Sequence, residues 1–247
     1  MGRVAGNTSR IYVNEHNLTG RTNTIELVID NQIIEVTCFG DDALEFVEGN
    51  YQGRLNQNSF FDGDGGQIDE SIWAEIGATN AALCGFYFGN DASYGDVGYE
   101  IQARPNDEAR PLEVAGAVLL NVNWQGSGAA VRGTVLSNVA VAATGAVANS
   151  AQNLGATTAP TVFVAVVRIL AVSGGGSITV DIEQSSDNGG GDAYALIAGM
   201  QTTKTAVGQQ RLTTVASTEA WKRVNVTAFS GFSSVTLMVT CGYEQGT

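Results

Sequence analysis

A chain of 247 residues holds one large β domain or two of ordinary size, and either buries enough apolar surface to fold without a disulfide or a metal. Its formal charge of −13 argues against a nucleic-acid binder, which needs clustered Lys and Arg. The imbalance belongs to the first half: residues 1–125 hold nineteen acids and six bases, residues 126–247 six of each.

With 31 glycines, 3 prolines and alternating β-branched runs broken by Gly, Asn and Asp, the pattern predicts an all-β protein with one short helix. Residues 1–10 read as a polar arm without the apolar stretch of a signal peptide. Arg10–Val13 is a short strand. Thr24–Asp30 alternates, and Asp30-Asn31 reads as a turn into a second strand, Gln32–Phe39. Gly40-Asp41-Asp42 breaks that strand, and an acidic connection leads through Glu45-Phe46-Val47-Glu48 to Gly49. A further extended run, Gly53–Phe61, ends in the glycine-rich turn Asp62–Gly66.

Ile68, Ile72 and Ile76 recur at helical spacing, with Trp73 beside them, so a helix is expected from Asp69, as N-cap, to Gly77. Strands follow at 81–89 and 99–104, then a loop over Pro105–Pro111 and a strong strand with Val118, Leu120, Val122 and Trp124 on one face. Residues 138–160 carry no charge and are rich in Ala, Gly, Asn and Thr. This divides the chain into a β-sandwich over 1–137, a low-complexity linker over 138–160 and a second antiparallel β-sandwich over 161–247. In the second unit Val162–Val172 and Ser177–Gln184 are strands joined by a turn at Ser173–Gly176, and Ile178, Val180 and Ile182 point inward.

Chemical candidates are few. The single histidine, His16, lies in a polar stretch with no triad or metal context. Asp62-x-Asp64 and Asp187–Asp192 lack the spacing of a calcium loop. Cys38, Cys84 and Cys241 sit in apolar strands and read as buried free thiols. No catalytic residue, cofactor site or metal site is expected. Tyr194, Trp221 and Tyr243 are open to a sugar-stacking role, which keeps a virion decoration or glycan-binding reading as an alternative. A carboxylate-dependent hydrolase is a second alternative, although no carboxylate pair stands out.

The run Thr37-Cys38-Phe39-Gly40-Asp41, Glu45-Phe46-Val47-Glu48-Gly49 and Phe60-Phe61-Asp62-Gly63, with the single helix and Val122-Asn123-Trp124-Gln125-Gly126, resembles the tail tube (major tail) proteins of long-tailed bacteriophages. The second unit resembles the carboxy-terminal sandwich appended to some of them. The resemblance implies a virion protein made in the host cytoplasm, with no enzymatic activity and no membrane contact. It implies subunits that self-assemble edge to edge into stacked rings, with other tail proteins at the tube ends. Genome DNA then passes down the channel without specific binding. Ring contacts are expected on the arm, at Arg3 and Arg10, and on the acidic loop, at Asp41, Asp42, Glu45, Phe46 and Glu48. Whether a ring holds six subunits or three pseudo-doubled ones stays open.

Overall fold

The computed structural model describes residues 8–36, 43–64, 67–88, 91–111, 118–157 and 161–244. The chain is all-β with one short helix. Its strands are β1 (Arg10–Val13), β2 (His16–Asn17), β3 (Thr22–Glu35), β4 (Phe46–Phe60), β5 (Ala82–Phe88), β6 (Val97–Ala109), β7 (Leu119–Gly126), β8 (Val131–Val141), β9 (Gly145–Ala146), β10 (Gln152–Asn153), β11 (Phe163–Ser185), β12 (Ala195–Lys204), β13 (Gly208–Thr214) and β14 (Trp221–Glu244). Helix α1 (Ile68–Trp73) lies between β4 and β5. Every pairing is antiparallel, and the strands form one continuous hydrogen-bonded sheet that folds over itself.

In the first half, β3, β4 and β7 lie side by side and join the far end of β6, while β2, β1 and β5 join its near end. The period of two along β7 sends Leu120, Val122 and Trp124 inward and leaves Asn121, Asn123 and Gln125 outside. The inward residues meet Cys84, Phe86 and Ile101 of the opposing layer. Trp124 donates its ring N–H to Gln57 Oε1 at 3.1 Å, and Gln57 donates in turn to Ser59 and Thr22, so this buried polar thread is paired.

Three local expectations give way to longer pairing. Asp30-Asn31 is not a turn; β3 runs on to Glu35, and a register shift between Asn31 and Ile33 absorbs the extra residue as a bulge. The hairpin partner of β3 is β4, which begins at Phe46, so Phe46 and Glu48 lie on a strand and not in a loop. The stretch after Pro105 is likewise strand: β6 continues to Ala109, with a shift between Pro105 and Asp107 where proline supplies no N–H. The helix ends at Trp73, before Gly77, and Asp69 lies in its first turn instead of capping it. Ile68 and Ile72 are buried, whereas Ile76, beyond the last helical turn, is exposed.

The second half is built from one long ribbon. β11 and β14 pair along almost their whole lengths, from Phe163 opposite Tyr243 to Ser185 opposite Trp221. The ribbon folds near its middle, so Phe163, Ala165, Val167 and Ile169 face Ile178, Val180 and Ile182 of the same strand across a common core. β13 borders one half of β11 and β12 the other. The expected turn at Ser173–Gly176 is therefore a corner within a continuous ribbon. Residues 138–160 contain the end of β8 and the short strands β9 and β10, which pair with β14 and cover part of its edge.

Sheet alternation also carries Lys222 inward beside Val224, where it is fully buried with its ammonium 5.5 Å from the Phe163 ring centre. Its ammonium donates to the Glu219 carbonyl. Burial pulls its pKa down to about 8. Below pH 8 both folded and unfolded chains hold the proton. From there to the ordinary lysine range the unfolded chain binds more protons, so stability rises with pH. The buried thiols Cys84 and Cys241 act in the opposite sense over this range, so the lysine is read by difference: from pH 7.5 to 10, chemical denaturation is expected to show the stability of the chain relative to Lys222→Met rising by on the order of 2 kcal/mol.

The halves are joined by hydrogen-bonded strands and by a buried ion pair. β8 pairs with β6 at one end and with β14 along its length. On the face turned toward the first half, β11 carries Val164, Val166 and Arg168. Arg168 grips Glu100 with both Nη atoms, at 2.6 and 2.7 Å, and both side chains are essentially unexposed. Its Nε donates to the Asn14 carbonyl at 2.8 Å, Nη1 also donates to Tyr87 Oη at 2.8 Å and Nη2 to the Leu83 carbonyl at 3.3 Å. Tyr87 donates to Glu100 and lies 3.0 Å from Thr240 Oγ1. All five guanidinium N–H groups are used.

Candidate assembly surface

A two-stranded ribbon projects from the first sheet. β4 pairs with β7 only from Arg54 to Phe60, whereas β3 and β4 stay paired out to Glu35 opposite Phe46. Beyond Arg54 the two strands continue alone for seven residues of β3, about 20 Å at the usual rise. Among the described residues β3 pairs with β4 alone, so its other edge is open. A two-stranded ribbon is marginal in water without a partner, and an open edge is a pairing hazard unless another chain covers it. The run Ala43–Phe46 at the far end is exposed throughout, with Leu44 at 65% and Phe46 at 56%.

Of the expected contact residues, Arg3, Asp41 and Asp42 lie outside the described residues, as does the side chain of Glu48. Glu45 and Phe46 stand together at the exposed end of the ribbon, where the Glu45 carbonyl accepts from Val36 N–H at 2.9 Å. Arg10 lies apart from the ribbon end. It begins β1, paired opposite Tyr87, and its guanidinium meets Asp91 at 2.5 Å.

The outer face of β3, β4 and β7 is rich in carboxamides. Asn56 faces Asn123 and Asn58 faces Asn121 across the strands, and Asn56 donates to Glu26 at 3.0 Å. The two arginines bordering this face are engaged. Arg54 lies 3.3 Å from Asp30, and Arg104 donates to the Ala78 and Thr79 carbonyls at 2.6 Å. Across the described residues seven arginines are ion-paired, Arg104, Lys204 and Lys222 donate to backbone carbonyls, and Arg132 alone does neither.

The other candidates are accounted for locally. His16 lies in β2, 3.8 Å from Glu15. Asp62 accepts from Arg21 Nε at 2.5 Å and from Asp64 N–H, contacts that hold its carboxyl below the usual range. Asp187 accepts from the backbone N–H groups of Gly191, Asp192 and Gly190, which lowers its pKa and closes the glycine loop upon its own carboxylate. Cys84 and Cys241 are free and buried, and burial pushes both thiols far up; Cys38 lies outside the described residues. The three aromatics have separate neighbours: Tyr194 lies under Arg223 at 4.0 Å, Tyr243 packs on Phe163 at 5.2 Å, and Trp221 pairs opposite Ser185 and Asn153. No helix among the described residues is long and apolar enough to cross a membrane.

One surface cluster lacks a sequence signal. Arg110 extends over the Trp73 ring at 5.3 Å while bonded to Asp69 at 2.7 Å and Glu108 at 2.6 Å. The sequence places Trp73 beside the apolar side of the helix, whereas the structure leaves it exposed, one residue past the buried Ile72.

No family model matches the sequence, and no curated protein matches it. Among solved structures the chain is similar to one from the virion of a native gene transfer agent particle, at 12% identity and TM-score 0.42, covering 53% of this chain and 98% of that one. It is similar to the SPP1 tail tube at 11% identity and TM-score 0.43, covering 53% and 78%. Over 95% of its own length and 98% of the other it is similar to the SPP1 Dit protein, described as a paradigm of hub adsorption apparatus in phages infecting Gram-positive hosts, at 9% identity and TM-score 0.36.

Proposed function

We propose that this protein is a structural, non-enzymatic component of a virion tail. Copies of it associate edge to edge into stacked rings around a channel for genome DNA. The projecting β3–β4 ribbon carries this reading: it ends in exposed Leu44 and Phe46, and its β3 edge has no partner among the described residues. Apolar surface and an open edge of this kind gain stability when identical neighbours cover them.

The charge pattern supports the channel. The carboxamide face of β3, β4 and β7 lines it in this reading, with Glu26 and Asp30 along its border. Amides and carboxylates beside neutralised arginines give phosphates no open cation to hold. The second sandwich is the less acidic unit and lies away from the DNA. Asp41, Asp42 and Glu48 join Glu45 and Phe46 in the ring contact, and Arg3 extends it from the arm.

Negative-stain microscopy of the concentrated protein tests the reading. Uniform hollow rings or tubes are expected, with no retention of duplex DNA at physiological salt. A species that stays monomeric at every concentration and is absent from virion tails overturns it.

A further inference from the structure

Arg132 stands apart from every other described cation. It lies on β8 with its side chain exposed, and its guanidinium makes neither an ion pair nor a hydrogen bond among the described residues. In a chain of net charge −13, this guanidinium is conspicuous because carboxylates are plentiful and none among the described residues pairs with it.

Its neighbours give it a defined setting. Arg132 pairs opposite Tyr99 of β6 on one side and Tyr243 of β14 on the other. Directly opposed residues of an antiparallel pair project from the same face, so the three side chains form one row. Tyr99 meets Phe88 edge to face at 5.9 Å, and Phe88 is 45% exposed. The row lies where the shared sheet passes from the first core, which holds Phe86, to the second, which holds Cys241. Tyr and Arg are the side chains that most often anchor protein interfaces, and a free guanidinium fork fits a carboxylate at two points.

The geometry points to the row Phe88–Tyr99–Arg132–Tyr243 as the receiving site for the Ala43–Phe46 segment of a second copy of this chain. This rests on the self-assembly reading above. The segment matches the row in both charge and apolar character. Glu45 supplies a carboxylate for Arg132, and the exposed Leu44 and Phe46 flanking it supply apolar contact for Phe88 and Tyr99. An ion pair closed in this way orients the incoming subunit and penalises wrong registers, where like charges meet.

The test is sedimentation of assembled material for the full-length protein and three variants: Arg132→Glu, Glu45→Lys and the double variant. Circular dichroism and melting temperature serve as folding controls. Arg132→Glu is expected to keep the wild-type melting temperature and to raise the concentration needed for assembly about tenfold. Glu45→Lys behaves alike, and the double variant, with the charges exchanged, recovers most of the loss. If Arg132→Glu assembles like wild type, the site is wrong. If assembly is lost and the exchange does not restore it, the acid that meets Arg132 lies elsewhere on the neighbour, and the assignment to Ala43–Phe46 falls. A wild-type protein that never assembles overturns this inference together with the reading it rests on.

Discussion

Arg168→Ala is expected to destabilise the chain by about 3–5 kcal/mol, seen as a melting temperature lower by roughly 10 °C. The substitution removes one partner of a fully desolvated pair. Glu100 then keeps a buried carboxylate with Tyr87 as its remaining donor, and the Asn14 and Leu83 carbonyls lose the N–H groups that reach them. Coulomb attraction between the intact partners is not the relevant quantity, because burying both charges has its own cost. The asymmetry between losing one partner and losing both therefore decides the outcome.

That asymmetry gives the measurement its control. A double variant, Arg168→Met with Glu100→Leu, removes both charges and fills similar volume, so it is expected to cost less than either single change. Arg168→Lys keeps the charge but cannot reproduce the two-point grip or reach five acceptors at once, and should fall between. If Arg168→Ala melts within a degree or two of wild type, the pair does not hold the halves together. Its position makes the consequence more than local. β11 reaches Glu100 of β6 and the Leu83 carbonyl of β5 through this side chain, with Val164 and Val166 packed beside it, so losing it is expected to loosen the contact between the halves.

Strand alternation was the readable part of this fold, since it depends only on which face is buried. Leu120, Val122 and Trp124 in β7, and Ile178, Val180 and Ile182 in β11, point inward as their spacing requires. Turn chemistry misled wherever a longer pairing absorbed it. Asp30-Asn31 and Pro105 have the local character of turns, yet a bulge accommodates each at the loss of one ladder position while pairing with the same partner strand continues before and after it. The ribbon end bearing Glu45 and Phe46 could be found from its acidic, half-apolar composition. Arg132 could not. Its lack of a partner is a property of everything around it, and no window of sequence contains that information. Arg10 shows the converse, since its partner Asp91 is distant in the chain and only the β1–β5 pairing brings them together.

Gly176→Val is expected to be the most damaging small change in the second sandwich, while Gly175→Ala, one residue away, should be nearly silent. A Cβ at position 176 would lie 1.9 Å from the Ser230 carbonyl oxygen and 2.5 Å from the Phe232 nitrogen, both backbone atoms that cannot swing aside. A Cβ at 175 meets nothing within 4 Å. The facing position is as constrained: Gly231 has φ +77°, and a Cβ there would approach the Gly175 carbonyl oxygen to 2.4 Å. The β11–β14 ribbon must fold at this corner to bring Val167 and Ile169 over Ile178 and Val180, so any splaying opens the core instead of a surface loop. A loss of 4 kcal/mol or more is expected for Gly176→Val by denaturant titration, against about 0.5 kcal/mol either way for Gly175→Ala. Equal tolerance at the two positions would mean that the ribbon does not fold here. The same corner separates the two roles of β11. Its first half is pinned to Glu100 through Arg168, and its second half pairs with β12. A subunit with a broken corner should therefore keep the projecting β3–β4 ribbon and lose the second sandwich, a separation that limited proteolysis would read directly.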